Sequence, residues 1–91
     1  MHSLVQLCRC LADPVAIRIA VLLLRADLRI SQLQHVTQLS RRILDSRLLK
    51  LKECGIVDVE PDGRWLLWYV TDTGKATLQA LISPRQEEID W

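Results

Sequence analysis

Apolar side chains recur along the first half of this chain at the three- and four-residue spacing of amphipathic helices. Leu4, Leu7 and Leu11 share one face of a first helix. A second helix, over residues 15 to about 25, is apolar on most sides and so belongs in the centre of a small core. Asp13-Pro14 predicts its start, because the carboxylate can accept unpaired helix N–H groups and proline is tolerated at the first helical position.

Two further helices follow in quick succession. Ser31 and Gln34 have the spacing of a capping box, which predicts a short helix to about Thr37. The next helix covers residues 40–54, and Gly55 follows it as a glycine that can adopt the left-handed conformation. The inward stripe of this longer helix consists of Leu44, Leu48 and Leu51.

After Gly55 the pattern changes from helical to extended. Residues 56–59 indicate a short strand, residues 61–64 have turn chemistry, and residues 65–71 are rich in strand formers. Both faces of the second strand are apolar, so one is expected to cover the core and the other to meet a terminal helix or a partner. Thr73 or Asp72 can cap a last helix to about Ile82, and residues 28–30 could add a very short strand.

The predicted fold is α+β and mainly helical, a winged helix-turn-helix with the order α-α-α-α-β-β-α. Residues 1–91 are expected to form one domain. Its helix-turn-helix covers about 31–54, its wing about 56–71 and its C-terminal helix about 73–82. A composition of 49% hydrophobic and 25% charged residues is that of a globular protein and argues against disorder.

The charge is unevenly distributed, which changes the functional picture. The net charge of +1 excludes a polycationic protein. Residues 41–52, however, contain five basic residues against one acid, whereas residues 53–72 contain five acids against one arginine. A near-neutral chain with one basic segment is a candidate for local anion recognition, with a solvated helix face as the alternative.

Four segments resemble those of known regulators. Residues 10–19, with Leu-Ala-Asp-Pro followed by Arg-Ile, resemble the L-A-D-P-T-R-L-R-I-L opening of ArsR/SmtB-type winged-helix repressors. Residues 39–57 resemble their L-S-x-x-x-V-S-x-H-L-x-x-L-R-E-A-G-L-V, and Gly63-Arg64-Trp65 resembles the start of their wing. Residues 70–76 resemble the L-T-x-x-G-R-A of MarR- and PadR-like proteins, so that the resemblance covers roughly residues 7–82.

This resemblance implies a DNA-binding transcriptional regulator, with repression as the favoured mode. It would place the helix over residues 40–54 in the major groove, where arginine can bind guanine, and the wing at the minor groove. Double-stranded DNA is then the expected partner, and the candidate contacts are Ser31, Ser40, Arg41, Arg42, Asp45, Ser46, Arg47, Lys50 and Arg64.

Such proteins bind inverted repeats as two-fold dimers, so a homodimer is expected. In ArsR-like proteins the first and last helices form the dimer interface. The corresponding residues here are Leu4, Leu7, Leu11, Leu78, Leu81 and Ile82.

Five positions depart from the family pattern. Val15 and Ala16 stand where the opening motif usually has Thr-Arg. Gln38 occupies the turn where glycine is usual, and Ile43 and Leu49 replace outward-facing polar residues of the recognition helix. The two aliphatic side chains could contact thymine methyl groups or a protein. A winged helix used for protein assembly, without specific DNA binding, is therefore the alternative function.

The cysteines raise the question of a metal sensor. Cys8 and Cys10 are two residues apart, so on a helix they point in different directions and do not easily bind one ion. We expect no metal or other cofactor, and interpret Cys8 and Cys54 as buried small apolar residues. A thiolate site formed by Cys8, Cys10 and Cys54, or a switch by thiol oxidation, are the lesser alternatives.

No enzymatic motif is found: the sequence contains neither a glycine-rich phosphate loop nor an H-E-x-x-H pattern. No segment has the length and hydropathy of a membrane span or the pattern of a secretion signal. The sequence thus predicts a non-enzymatic cytoplasmic protein with reduced thiols, and it names no effector.

Overall fold

The computed structural model describes residues 9, 10 and 12–82, with only the backbone of the last of these. Within these residues, and after the helical Arg9 and Cys10, the elements are α1 (Pro14–Arg25), β1 (Leu28–Arg29), α2 (Ile30–Thr37), α3 (Arg41–Glu53), β2 (Val57–Asp62), β3 (Trp65–Val70) and α4 (Asp72–Ile82). The predicted winged helix-turn-helix is confirmed. The very short strand is also present, so the sheet contains three strands.

The central helix α1 begins as its sequence predicts. Asp13 is the N-cap, with its carboxylate accepting hydrogen bonds from the Val15 and Ala16 backbone N–H groups at 3.0 and 3.4 Å. The buried residues of α1 are Ala16, Ile19, Ala20 and Leu23. Arg18 projects from the same helix and donates to the Thr37 carbonyl at the end of α2, at 3.4 Å. The Leu-Ala-Asp-Pro…Arg segment therefore acts as a scaffold for the helix-turn-helix.

Two helix caps differ from the sequence prediction. At α2 the Gln32 side chain accepts from the Arg29 N–H at 2.8 Å, so the helix begins one residue before Ser31. At α4 the cap is Thr71, whose Oγ1 accepts from the Gly74 N–H at 2.9 Å, rather than Thr73 or Asp72. At α2 the cause is that β1 continues up to Arg29 and places this residue in an extended conformation. At α4 the strand β3 ends at Val70, which leaves Thr71 as the residue directly before the helix.

The sheet is antiparallel, with the strand order β1-β3-β2. Pro61 and Asp62, predicted as turn residues, pair instead with Leu66 and Trp65 in the wing. A proline is tolerated there because β2 is an edge strand. The turn thus shrinks to Gly63-Arg64, where Gly63 has a φ of 65° as short hairpin turns require.

One face of β3 covers the core, as expected. Val70 is buried and Trp68 packs against the core, whereas Trp65 on the other face is largely exposed. The core itself joins the helices to the start of the wing, and its largest fully buried side chains are Ile19, Leu33, Leu44, Leu48, Leu51, Ile56 and Leu78.

The expectation of reduced thiols is wrong for two of the three cysteines. Cys10 and Cys54 form a disulfide that spans 44 positions of the chain and joins the segment before α1 to the end of α3. Sequence spacing could not predict this pair, because only packing brings the two segments together. The bond leaves neither sulfur as a thiolate ligand, and Cys8 lies outside the described residues.

Candidate nucleic-acid interface

The helix α3 is held by caps at both ends. Ser40 is its N-cap, with Oγ accepting from the Ile43 N–H at 3.2 Å, and Gly55 follows its end with a φ of 80°. Leu44, Leu48 and Leu51 are buried, as predicted. The opposite side of the helix therefore faces solvent along its length.

The turn between α2 and α3 depends on one left-handed residue. Gln38 has a φ of 62°, at the position where the family pattern has glycine. Its side chain donates to the His35 carbonyl at 2.6 Å. Beside it, the buried Thr37 hydroxyl donates to the Leu33 carbonyl at 2.6 Å and accepts from the Leu39 N–H at 3.2 Å. These bonds orient α3 relative to α2.

Five predicted base-contacting residues lie on the exposed surface of α3: Arg41, Arg42, Asp45, Ser46 and Lys50. Arg41 Nε lies 3.2 Å from Asp45 Oδ1, so the acid orients Arg41 rather than Arg42. Because this pair is exposed, it orients a side chain more than it stabilises the fold. Leu49, with 57% exposure, and Ile43, with 38%, share the surface.

Arg47 has a different environment from its neighbours on α3. Its Nε lies 2.7 Å from Asp13 Oδ2, in an ion pair largely shielded from solvent. Partial burial raises the pKa of Asp13, but the N–H groups of Ala16 and Val15 and then the charge of Arg47 outweigh it, so the pKa lies below its usual range. Arg47 therefore links α3 to the start of α1, and a DNA contact by this residue stays a prediction.

Arg29 was not predicted as a functional residue. From β1 it places Nη2 3.1 Å and Nε 3.4 Å from Asp62 Oδ2, and its guanidinium carbon lies 5.8 Å from the centre of the Trp65 ring. The possible strand at residues 28–30 was the only signal for it. The partners are far along the chain, and the pairing of β3 with both β1 and β2 brings them together.

A groove of about 330 Å³ lies between the starts of α2 and α3 and the wing. Arg41 and Asp45 border it on the helix side, and Ser31 lies at its α2 end. The other lining residues are Arg29, Ile30, Arg64, Trp65, Leu66 and Trp68. Three arginines thus face this groove, with Asp45 as the one acid among its lining residues.

The far end of the sheet has the opposite charge character. Desolvation and the nearby carboxylates of Asp58, Glu60 and Asp27 raise the pKa of Tyr69. The negative charges of these three carboxylates disfavour phosphate there. The positively charged side of the molecule is therefore the side formed by α3 and the groove.

The residues predicted for the dimer interface are only partly described. Leu78 packs in the core of its own chain, with 1% exposure, and leaves no surface for a partner. Leu81, on the same helix, is 56% exposed. Leu4, Leu7, Leu11 and the side chain of Ile82 lie outside the described residues. None of the helices described is long and apolar enough to cross a membrane.

Comparisons with known proteins identify relatives by fold. No protein-family model matches this sequence, and no curated protein matches it at a significant level. Among solved structures, the transcriptional repressor BigR from Xylella fastidiosa matches with a TM-score of 0.77 at 19% identity, over 90% of this chain and 82% of that one.

Two other solved structures are similar. A homodimeric winged helix-turn-helix DNA-binding domain from Mycobacterium bovis, described as a possible ArsR-family transcriptional regulator, has a TM-score of 0.76 at 21% identity, with 94% of this chain and 77% of that chain covered. A transcriptional regulator homologue from Pyrococcus horikoshii has a TM-score of 0.75 at 28% identity, with 90% and 86% covered. All three neighbours are described as transcriptional regulators or their homologues. The chain has the winged helix-turn-helix fold of ArsR-type transcriptional regulators.

Proposed function

We propose that this protein is a sequence-specific DNA-binding transcriptional regulator that acts as a homodimer, with repression as the favoured mode. In this proposal α3 lies in the major groove and the wing lies at the minor groove. The observation that carries it is the exposed surface of α3, which presents Arg41, Arg42 and Lys50, and of these Arg41 lines a groove together with the wing arginine Arg64. A helix with such a surface fits the major groove, where each base pair presents a distinct pattern of donors and acceptors.

The exposed residues divide by task. Arg42 and Ser46 are exposed, and helix periodicity places them opposite the buried leucines. We therefore assign them to base edges, together with Lys50 and the Arg41–Asp45 pair. Ser31 and Ser40 lie at helix starts, where hydroxyl and N–H groups suit phosphates, although Ser40 also caps α3. Arg47, paired with Asp13, supports the helix.

Selection from a random duplex pool at moderate salt tests the proposal. The wild type is compared with Arg41→Ala/Arg42→Ala and with Arg25→Ala/Lys75→Ala, a control that removes the same charge from exposed positions on α1 and α4. We expect a palindromic consensus for the wild type and the control, and its loss in the α3 variant. Failure of the wild type to enrich any sequence, even at low salt, would contradict the proposal.

The homodimer is supported by the homodimeric state of the Mycobacterium bovis neighbour and by the exposure of Leu81. We propose that Leu81 meets a second copy together with Leu4, Leu7, Leu11 and Ile82. One recognition helix is a small interface, and two copies would read an inverted repeat. Light scattering at micromolar concentration should give twice the mass of the 91-residue chain, and a monomer would contradict this part of the proposal.

A second candidate function rests on Leu49 and Ile43. Their exposure on α3 is the observation that favours a protein-assembly module over a DNA reader. Leu49→Ser/Ile43→Ser separates the two. A DNA reader would keep its affinity for unrelated duplex, because phosphate contacts supply that affinity, whereas an assembly module would bind no duplex before or after the change.

A further inference from the structure

We infer that the groove between the helix starts and the wing binds a phosphodiester of the DNA backbone, with Arg29 as its principal cation. This inference rests on the proposed function and names the chemical group that the groove recognises. Arg29, Arg41 and Arg64 all line the groove, and the single acid among its lining residues, Asp45, is paired with Arg41. Asp62, which contacts Arg29, offsets a second charge. The three arginines still exceed these two acids by one, so the groove retains net positive charge and suits an anion.

Arg29 is held in position before any ligand binds. Asp62 contacts its Nε and Nη2 atoms, and the Trp65 ring lies beside the guanidinium. Both contacts with Asp62 use one edge of the planar group, and within the described residues Nη1 makes no hydrogen bond. The remaining edge is thus available to a phosphate oxygen, a ligand that the fork of arginine donors fits well. Holding the side chain in advance reduces the entropy lost on binding.

The apolar residues of the wing tip support the same ligand. Trp65 and Leu66 are 54% and 56% exposed, more than packing within the chain would require. Beside each backbone phosphate lies a deoxyribose, whose carbon atoms offer an apolar surface. A groove that combines guanidinium groups with exposed apolar side chains therefore matches the alternation of phosphate and sugar.

The position of Arg29 points to the backbone rather than to a base. It lies on the edge strand β1, directly before α2, and not on α3, which is the element proposed to enter the major groove. Contacts with phosphates position a protein but carry no sequence information. Loss of Arg29 should thus weaken binding to every duplex by a similar factor.

The test compares Arg29→Met with Asp62→Asn, measuring affinity for a selected operator and an unrelated duplex across a range of salt. Both variants break the same ion pair, but only the first removes the cation. For Arg29→Met we expect a loss of about tenfold on both duplexes and a salt dependence that is shallower by about one counterion per protomer. Asp62→Asn should keep the wild-type slope and bind as tightly or more tightly.

Several outcomes would overturn the inference. Equal losses in the two variants would mean that the ion pair only stabilises the wing. An unchanged salt slope in Arg29→Met, or a loss confined to the operator, would exclude a phosphate contact. Should Arg29→Met fail to fold by circular dichroism, Arg29→Lys takes its place. That variant keeps the charge without the fork, so we expect the wild-type slope with reduced affinity, and wild-type affinity would contradict the inference.

The wild type separates this inference from the proposed function. If the wild-type protein binds no duplex, both the proposed function and the role of Arg29 are wrong. If the wild-type protein binds duplex with an affinity that falls as salt rises, and Arg29→Met behaves in the same way, only the role of Arg29 is wrong.

Discussion

Asp13 serves two structural purposes with one carboxylate. It caps α1 through the Val15 and Ala16 N–H groups, and it pairs with Arg47 of α3. Asparagine can still cap a helix but carries no charge. Asp13→Asn therefore removes the ion pair between the start of α1 and α3 while it keeps a capping side chain.

We expect Asp13→Asn to lower the free energy of unfolding by about 1 kcal/mol at pH 7. The folded pKa of Asp13 lies below its usual value, so the carboxylate stabilises the fold above the unfolded pKa and loses this contribution as pH falls through the folded pKa. The difference between wild type and variant should hence shrink below about pH 4. Urea denaturation at several pH values measures it. Asp45→Asn, which breaks an exposed pair, is the control and should change stability little.

Gln38 allows the energetic cost of a left-handed residue to be measured. Gln38→Gly and Gln38→Ala both remove the side-chain bond to the His35 carbonyl, so their difference reflects the backbone alone. Glycine should be the more stable by about 1 kcal/mol, because alanine disfavours positive φ. Thermal or urea unfolding of the two variants gives the difference, and equal stabilities would show that the turn relaxes.

At the scale of elements, α4 contains a glycine that local propensity alone would disfavour. Alanine is better than glycine in a helix interior by about 1 kcal/mol. The structure reverses this preference at Gly74, since a methyl group there would overlap the Ile56 carbonyl and lie 2.9 Å from Val70 Cγ1. The glycine thus lets α4 pack directly on the backbone that leads into the wing.

Gly74→Ala should accordingly destabilise the protein, by roughly 1–3 kcal/mol or more. The inverse change in the same helix, Ala80→Gly at an exposed position, should also destabilise it, by about 1 kcal/mol and for the opposite reason. Urea denaturation of both variants tests the pair. A stabilised Gly74→Ala protein would show that α4 does not approach the wing this closely.

At the scale of the whole molecule, the Cys10–Cys54 disulfide joins the two ends of the helical half. It closes a loop with a sequence separation of 44, for which chain entropy predicts a stabilisation of about 2–4 kcal/mol. In a Cys8→Ser background, adding reductant should lower the free energy of unfolding by that amount. When Cys54→Ser is added to this background, the free energy of unfolding should equal that of the reduced protein, whether or not reductant is present. Identical unfolding curves for oxidised and reduced protein would contradict the prediction.

Much of the fold follows from interactions within one or two helical turns. Asp13-Pro14 and Ser40 begin their helices as predicted, and Gly55 follows the end of α3. The leucine stripe of α3 is buried, and its basic residues other than Arg47 are exposed. Such features can be predicted from a sequence because the residues involved lie only three or four positions apart. This holds both for side chains that pair with backbone groups at a helix end and for side chains that share a helix face.

Sequence by itself thus determined the order of the elements, the core faces and the basic surface of the recognition helix. Only the tertiary structure decided which distant groups meet: Arg29 with Asp62, Arg47 with Asp13, Cys10 with Cys54, and Gly74 with the Ile56 carbonyl. The physical reason is separation along the chain. Local periodicity specifies which side of an element is apolar, but the contacts between elements depend on how those apolar sides pack in three dimensions.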